Sequence, residues 1–403
     1  MPRRIPIVLA ASAAALVVTA SPAAAAPTWT VSPSVNPVPT DNRLTAVTAR
    51  TAQDAWAVGF YTGPLRHNGR IMLAEHWDGS TWKQSPTPNV QFFDEKLLAV
   101  GAAAANDVWA VGSTNQTGFA TTNPITTHYD GAAWTIVSTP ATSGSAKSIL
   151  DGVVNFGASN AWAVGRSRAG RALVEHWDGT GWTIVPPPDP AVKAGSTLAS
   201  STLTGVSALS PSDIWAVGSY SVVTGTVSDA FTLIEHYNGV AWSIVPSPNL
   251  APRSSLNGAR QVLNAVAMIS KTDGWAVGNT IDTASGSFLP DKSLALHWNG
   301  TAWSVVATPM TGTQNVLAGV SAASSTDVWT VGERVDPSGA IPVDRTLTLH
   351  WTGTTWTTVA SPSAAGDSLL GGVSTLPGGE SWAAGFTNSG PSIDQTLILH
   401  LLP

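Results

Sequence analysis

The charged side chains that could meet a ligand fall in a few irregular stretches of this chain. Segments 60–71 and 166–171 carry Arg66, Arg70, Arg166, Arg168 and Arg171 and no acid. Equivalent segments further along carry Asp229, Asp282, Asp291, Glu333, Asp336, Asp344 and Asp394 against Lys292, Arg334 and Arg345. Phe92, Phe93, Tyr220 and Phe231 flank these charges. Cations, carboxylates and aromatic rings together suit a polar ligand such as a glycan. The competing reading is solvated surface charge. Hydrolysis of a glycosidic bond needs two carboxylates roughly 5–9.5 Å apart, and Asp291 with Asp344 are the acids that adjacent segments could bring together.

A second set of polar residues recurs on a strict pattern. Histidine stands at 76, 128, 176, 236, 297, 350 and 400. An acid or amide stands at Asp54, Asp107, Asn160, Asp213, Asp273, Asp327 and Glu380, where it is expected to cap a turn through its own side chain. In Glu75-His76, Glu175-His176 and Glu235-His236 the two side chains alternate across a strand and cannot face one substrate. These repeated groups read as structural.

The elements that must position both sets are written in the tryptophans. All 18 Trp fall in one recurring phrase. It begins Leu44-x-x-Val47 and runs through Asp54-Ala-Trp56-Ala-Val-Gly59 and Glu75-His76-Trp77-Asp78-Gly79-x-x-Trp82 to Pro86. Its central Trp recurs at 56, 109, 162, 215, 275, 329 and 382, and a fixed period of this size marks a repeat architecture. Each repeat divides into four short period-2 runs bounded by Gly, Pro, Asn and Asp, which are strands. Four antiparallel strands per roughly 50 residues is the content of one propeller blade.

The fold class expected is therefore all-β, a seven-bladed β-propeller with four antiparallel strands per blade. The units span about 44–88, 97–140, 150–188, 203–248, 263–309, 317–362 and 370–403 plus 28–33. The last repeat stops after its third strand, and Trp29-Thr-Val-Ser-Pro33 is spaced like Trp82-Lys-Gln-Ser-Pro86. The N-terminal strand is expected to complete the seventh blade, which removes open sheet edges. The small residue of the first strand (Ala46, Ala99, Gly152, Gly205, Ala265, Gly319 or Gly372) suits the crowded axis. The seven Trp of strand two, and the seven of strand four (Trp29, Trp82, Trp134, Trp182, Trp242, Trp303, Trp356), suit packing between blades. Asp78-Gly79 and its equivalents are tight-turn signals.

With strand three roughly 15 Å from the axis, given strand spacings of about 4.8 Å, neighbouring histidines stand more than ~12 Å apart. A shared metal needs ligands at about 2 Å. No metal and no cofactor is expected.

Residues 1–26 read as a secretory leader: Arg3 and Arg4, an apolar run over Ile5–Ala20, and small residues at Ala23–Ala26. No later run is long and apolar enough to span a membrane. The chain has no cysteine, so burial rather than disulfides must hold a secreted chain together. Charged residues make up only 11%, hydrophobic ones 43%, with 37 Gly and 28 Pro, which suits many turns between strands. The net charge of −6 argues against a nucleic-acid partner, which calls for a basic stripe. A monomer is expected.

The phrase Asp-x-Trp-Ala-Val-Gly followed by Glu-His-Trp-Asp-Gly-x-x-Trp resembles a group of secreted bacterial seven-bladed propellers, over 28–403. The hairpin Trp77–Trp82 is also similar to the Asp-box of sialidase-type propellers, one residue shorter between Asp and Trp. Its hairpin-then-Trp rhythm is similar to that of fucose-binding lectin propellers.

Segment lengths hardly vary between strands one and two or three and four. They vary between strands two and three and between repeats, and in an antiparallel blade those two classes emerge on one face. Per-repeat variation on one face marks a binding face. The expected function is a secreted, non-catalytic module that binds carbohydrate or a cell-envelope polymer through that face. Its candidate ligand-binding residues are Arg66, Arg70, Phe92, Phe93, Arg166, Arg168, Arg171, Tyr220, Asp229, Phe231, Asp291, Asp344 and Asp394, with no catalytic residue assigned. The alternatives are a glycoside hydrolase or lyase, and a protein-interaction scaffold.

Overall fold

A computed structural model describes residues 27–39, 41–63, 69–88, 94–115, 122–142, 147–249, 260–281, 292–339, 341–388 and 393–403. The leader at 1–26 lies outside the described residues. Among those described, all regular structure is β, in 28 strands, and no helix is long and apolar enough to cross a membrane.

Each Trp-Ala-Val-Gly run lies inside a strand, such as Asp54–Thr62 or Asp327–Asp336, paired antiparallel on both sides. Three sheets have four strands, and two have eight. The eight-stranded sheets join repeats one and two, and four and five, through single parallel pairs at Arg70–Asp94 and Ala230–Arg260. Trp29–Ser32 pairs antiparallel with Asp394–Leu401, placing Trp29 opposite Leu401 and Val31 opposite Leu399. The N-terminal strand thus sits where the fourth strand stands in other repeats.

Every first strand carries a bulge one residue after its Leu, at Thr45, Leu98, Asp151, Thr204, Asn264, Ala318 or Gly371. A bulge re-aims its extra side chain. The Thr45 hydroxyl donates to the carbonyls of Val58 and of Leu97 in the next repeat, at 3.0 and 2.8 Å. Asn264 Nδ2 donates likewise to Leu317 O at 2.7 Å. The bulge also explains the Gly of Trp-Ala-Val-Gly, because a Cβ on Gly59 would overlap the Arg43 carbonyl oxygen.

Consecutive first strands crowd one another. A Cβ on Gly205 would stand 2.9 Å from Ala265 Cα, and one on Gly372 would stand 3.2 Å from Ala46 Cα, so repeat seven meets repeat one. Val47, Val153, Val206, Val266, Val320 and Val373 line two successive central cavities of about 360 and 200 Å³, and Val100 lines the larger.

The core lies between repeats. The second-strand Trp of each repeat packs edge-to-face on the fourth-strand Trp of the next, as in Trp56–Trp134 (5.4 Å, 86°) and Trp109–Trp182 (5.0 Å, 86°). Trp329 makes the same contact with Trp29 (5.3 Å, 87°), and Trp382 with Trp82 (5.2 Å, 85°). Rings of this size, crossed edge-to-face, supply about 0.5–1.5 kcal/mol each beyond their area burial.

Repeat four departs from expectation. Its strands run Ser196–Ser210, Asp213–Thr224 and Val227–Tyr237, so 219–231 is largely a strand hairpin rather than a loop. Val222, Val223 and Thr224 are β-branched and extend the pairing outward.

Candidate functional site

The antiparallel order puts the connections from strand one to two and from three to four at one end of the molecule. The histidines lie at that end. Each donates or accepts through Nε2 to the acid or amide of its own repeat: His76–Asp54 at 3.0 Å, His128–Asp107 at 2.8 Å, His176–Asn160 at 3.3 Å and His400–Glu380 at 2.9 Å. His236–Asp213, His297–Asp273 and His350–Asp327 are all 2.8 Å. Each imidazole also lies against the second-strand Trp, from 3.8 Å between centroids at Trp382–His400 to 4.6 Å at Trp275–His297.

This corrects the expected role of the repeated acid. It orients a cross-strand histidine rather than simply capping its own turn. The signal was available in the sequence, because the register that sets Trp56 opposite His76 leaves Asp54 next to the imidazole. No group of three His, Cys, Asp or Glu that could hold a metal occurs among the described residues. The Asp-Gly hairpins behave as their chemistry requires. Asp178 Oδ1 accepts the Thr180 and Gly181 amides, and with the Thr180 hydroxyl these hold its carboxyl down at about 2, while Gly179 takes φ of 95°.

Glu75, Glu175 and Glu235 alternate with the histidines and are completely buried. Glu75 Oε2 accepts the Val35 amide at 3.1 Å, whereas both oxygens of Glu175 and of Glu235 lack a hydrogen-bond partner among the described residues. Burial pushes all three carboxyls up to about 8.

The opposite end carries the strand two-to-three and inter-repeat connections. Here the partners differ from repeat to repeat. Arg70 lies 3.4 Å from Asp94 and over the Phe60 ring at 4.9 Å. Arg168 donates to Asn123 Oδ1. Arg171 donates to the Leu198 and Ala199 carbonyls at 3.2 Å and lies 3.5 Å from Asp189. Tyr220 and Phe231 sit opposite each other on paired strands, rings 5.3 Å apart, and Asp229 is buried two residues away. Asp394, also buried, is held by Arg43 and by Asn388 Nδ2 at 3.0 Å. The candidates Arg66, Phe92, Phe93 and Asp291 lie outside the described residues, as does Asp282.

Asp344 lies on a strand, Val343–Trp351, beside the inter-repeat segment. Its amide donates to Asp367 Oδ1 at 3.0 Å. Burial first, and the Asp367 charge second, raise its carboxyl. The acid that meets Asp344 is therefore Asp367, which the sequence reading did not single out.

Arg166 ends the strand Ala161–Arg166 and, with Lys147, Gly170, Ser200, Ser201 and Thr202, lines a hollow of about 320 Å³ between repeats three and four. Neither the Arg166 guanidinium nor the Lys147 ammonium has a hydrogen-bond or ion-pair partner within the described residues. Lys147, Ser200, Ser201 and Thr202 were not among the expected site residues. They belong to inter-repeat segments whose fold-back onto Arg166 no local pattern announces.

No protein-family model matches the chain, and no curated protein matches it. Solved structures do share its architecture. It is similar to YCF48 bound to a D1 peptide (TM-score 0.50, 14% identity, 94% of this chain and 95% of that one). It is similar to a polysaccharide lyase of the ulvan lyase kind bound to a GlcA–Rha3S saccharide (TM-score 0.54, 10% identity, 89% and 94%). It is also similar to a xyloglucanase from Xanthomonas campestris (TM-score 0.53, 12% identity), covering 92% of this chain but only 55% of that enzyme. The fold is that of a β-propeller.

Proposed function

We propose that this chain is a secreted, monomeric, non-catalytic module that binds a glycan or cell-envelope polymer at the end bearing its irregular connections. In this reading seven four-stranded blades, with the boundaries given above, close into a ring through the strand Trp29–Ser32. The leader at 1–26 directs export. The observation that carries the functional reading is the contrast in pairing between the two ends. The regular end matches each imidazole with an acid or amide of its own repeat. Among the described residues, the irregular end leaves Arg166 and Lys147 without a hydrogen-bond or ion-pair partner around a hollow between repeats three and four. Concave sites with a few convergent polar groups are the usual form of ligand sites. A glycan is in keeping with the polysaccharide-acting proteins among the solved structures of like fold.

The test is an array of purified polysaccharides and cell-wall fractions probed with the secreted protein. Retention on at least one polymer class is expected. No signal above that of an unrelated secreted protein on any class would overturn the reading.

A second reading, a hydrolase or lyase, is favoured by one observation, the pairing of Asp344 with Asp367. Two neighbouring acids, one with its carboxyl raised by burial and by the other's charge, are what general acid–base chemistry uses. New reducing ends or unsaturated products in long incubations, abolished in Asp344→Asn, would establish it. Unchanged polymers would dismiss it.

A further inference from the structure

The hollow between repeats three and four has a chemistry narrower than glycan in general. Two cations line it, Lys147 and Arg166, together with Gly170, Ser200, Ser201 and Thr202. Ser201 is almost wholly buried. Its Oγ accepts the Ala172 amide at 2.9 Å, which leaves the hydroxyl proton without an acceptor of its own. The Ser201 amide is spent on Gly170 O at 3.0 Å, which pins Ser201 to the turn after Arg166. Three acids stand near enough to matter. Asp189 is engaged by Arg171. Asp151 feels the Arg166 charge from the channel side, but the two make no ion pair. Asp229, on the extended hairpin of repeat four, is buried. No carboxylate lines the hollow itself.

A planar guanidinium and an ammonium beside one small space with no carboxylate on its lining form a cation-rich, donor-rich environment. Such a set is satisfied by an oxyanion, which accepts from all of them, whereas neutral sugar hydroxyls would leave the two charges uncompensated. We infer that the hollow holds one acidic substituent of a polyanionic polysaccharide, a carboxylate, sulfate ester or phosphate ester, with Arg166 and Lys147 as its charge partners. This rests on the reading that the irregular end binds glycan. The Arg168 and Arg171 guanidinium groups, already tied to neighbouring carbonyl and amide oxygens, shape the rim and raise the local positive potential.

The experiment measures binding of the full secreted protein to four immobilised polymers: polygalacturonate, dextran sulfate, a glycerol-phosphate teichoic acid and neutral dextran. Each is run at low and high salt. At least one anionic polymer is expected to bind with an affinity that falls as salt rises, and the one that binds identifies the substituent. Lys147→Ala with Arg166→Ala should weaken that binding by at least about tenfold. Arg166→Lys should recover part of it, and Arg168→Ala should cost much less. Thermal unfolding of every variant separates lost binding from lost folding. The inference is overturned if the double variant, still folded, binds the anionic polymer as the wild type does. It is also overturned if only neutral polymers bind, in which case the broader glycan reading stands. Absence of binding to all four polymers and to the wider array would remove both.

Discussion

The two ends of this molecule both carry basic side chains beside acids, and they pair them in opposite ways. At the regular end, seven imidazoles lie on seven indoles and meet seven acids or amides, all within 2.8–3.3 Å. At the irregular end, Arg43 is consumed by Asp394, Arg345 by the carbonyls of 364–366, and Arg171 by two carbonyls and Asp189. Among the described residues Arg166 and Lys147 make no ion pair; nor do Lys193, Arg260 and Lys292, but only the first two share a hollow. A repeated group has been matched once and copied. A unique group has a partner only where the local chain happens to provide one. For that reason the proposed binding function is placed at the end where the repeat pattern stops.

The comparison can be broken hardest at the seam. Trp29 plugs the fourth-strand position of repeat seven against Trp329. Trp29→Ala should cost about 3–5 kcal/mol, read as a fall in the denaturant midpoint. A loss below 1 kcal/mol would mean that the N-terminal strand is not an integral part of its sheet.

Next comes the buried carboxyl trio. Their folded values near 8 lie above the ordinary 4.5, so the native state holds protons that the unfolded chain has released. Their contribution is fully present below about pH 4.5 and is lost as pH rises toward and through 8. The wild-type melting temperature should fall across that window. The triple variant Glu75→Gln, Glu175→Gln, Glu235→Gln should flatten the fall, gaining about 1–3 kcal/mol per site at pH 8. An unchanged pH profile in the variant would show that the three carboxyls are not buried as described.

A third test contrasts the ends directly. His297→Ala removes one histidine–acid contact and should cost about 1–2 kcal/mol without altering polymer binding. Arg166→Ala should do the reverse, leaving the melting temperature nearly unchanged. If His297→Ala abolishes binding, the assignment of the ends is inverted.

The smallest effect is expected at Asp151. It occupies a bulge position where Thr45 and Asn264 donate to the next repeat. Burial raises its carboxyl to about 6, partly offset by Arg166. Its contribution is thus present below about pH 4 and lost as pH rises through 6. Asp151→Asn, able to donate at every pH, should stabilise by about 1–2 kcal/mol at pH 7 and hardly at all at pH 4. A destabilised variant at pH 7 would indicate that the charge on Asp151 is used.

Much of this architecture was legible before any coordinates. The period, the four runs per repeat and the orphan Trp29 segment all follow from residues that recur. The repeats also hold two features that the strands alone do not announce: the acid–histidine contact, and the bulge that demands glycine at 59 and its equivalents. Both require the cross-strand register, not just the strands. The candidate site was less legible. Tyr220, Asp229 and Phe231 sit on strands because pairing in repeat four continues past the point where other repeats turn. Asp394 is a ligand candidate in the sequence, but in the structure Arg43, 351 residues away, lies against it.

The sequence by itself determined the strands, their grouping and the residues that recur at every interface, because those depend on local alternation and on spacing. The tertiary structure alone decided which charges are spent. Whether a carboxylate is buried, paired or free depends on segments far apart in the chain and close in space, and a desolvated or matched charge looks the same in a string of letters as an available one.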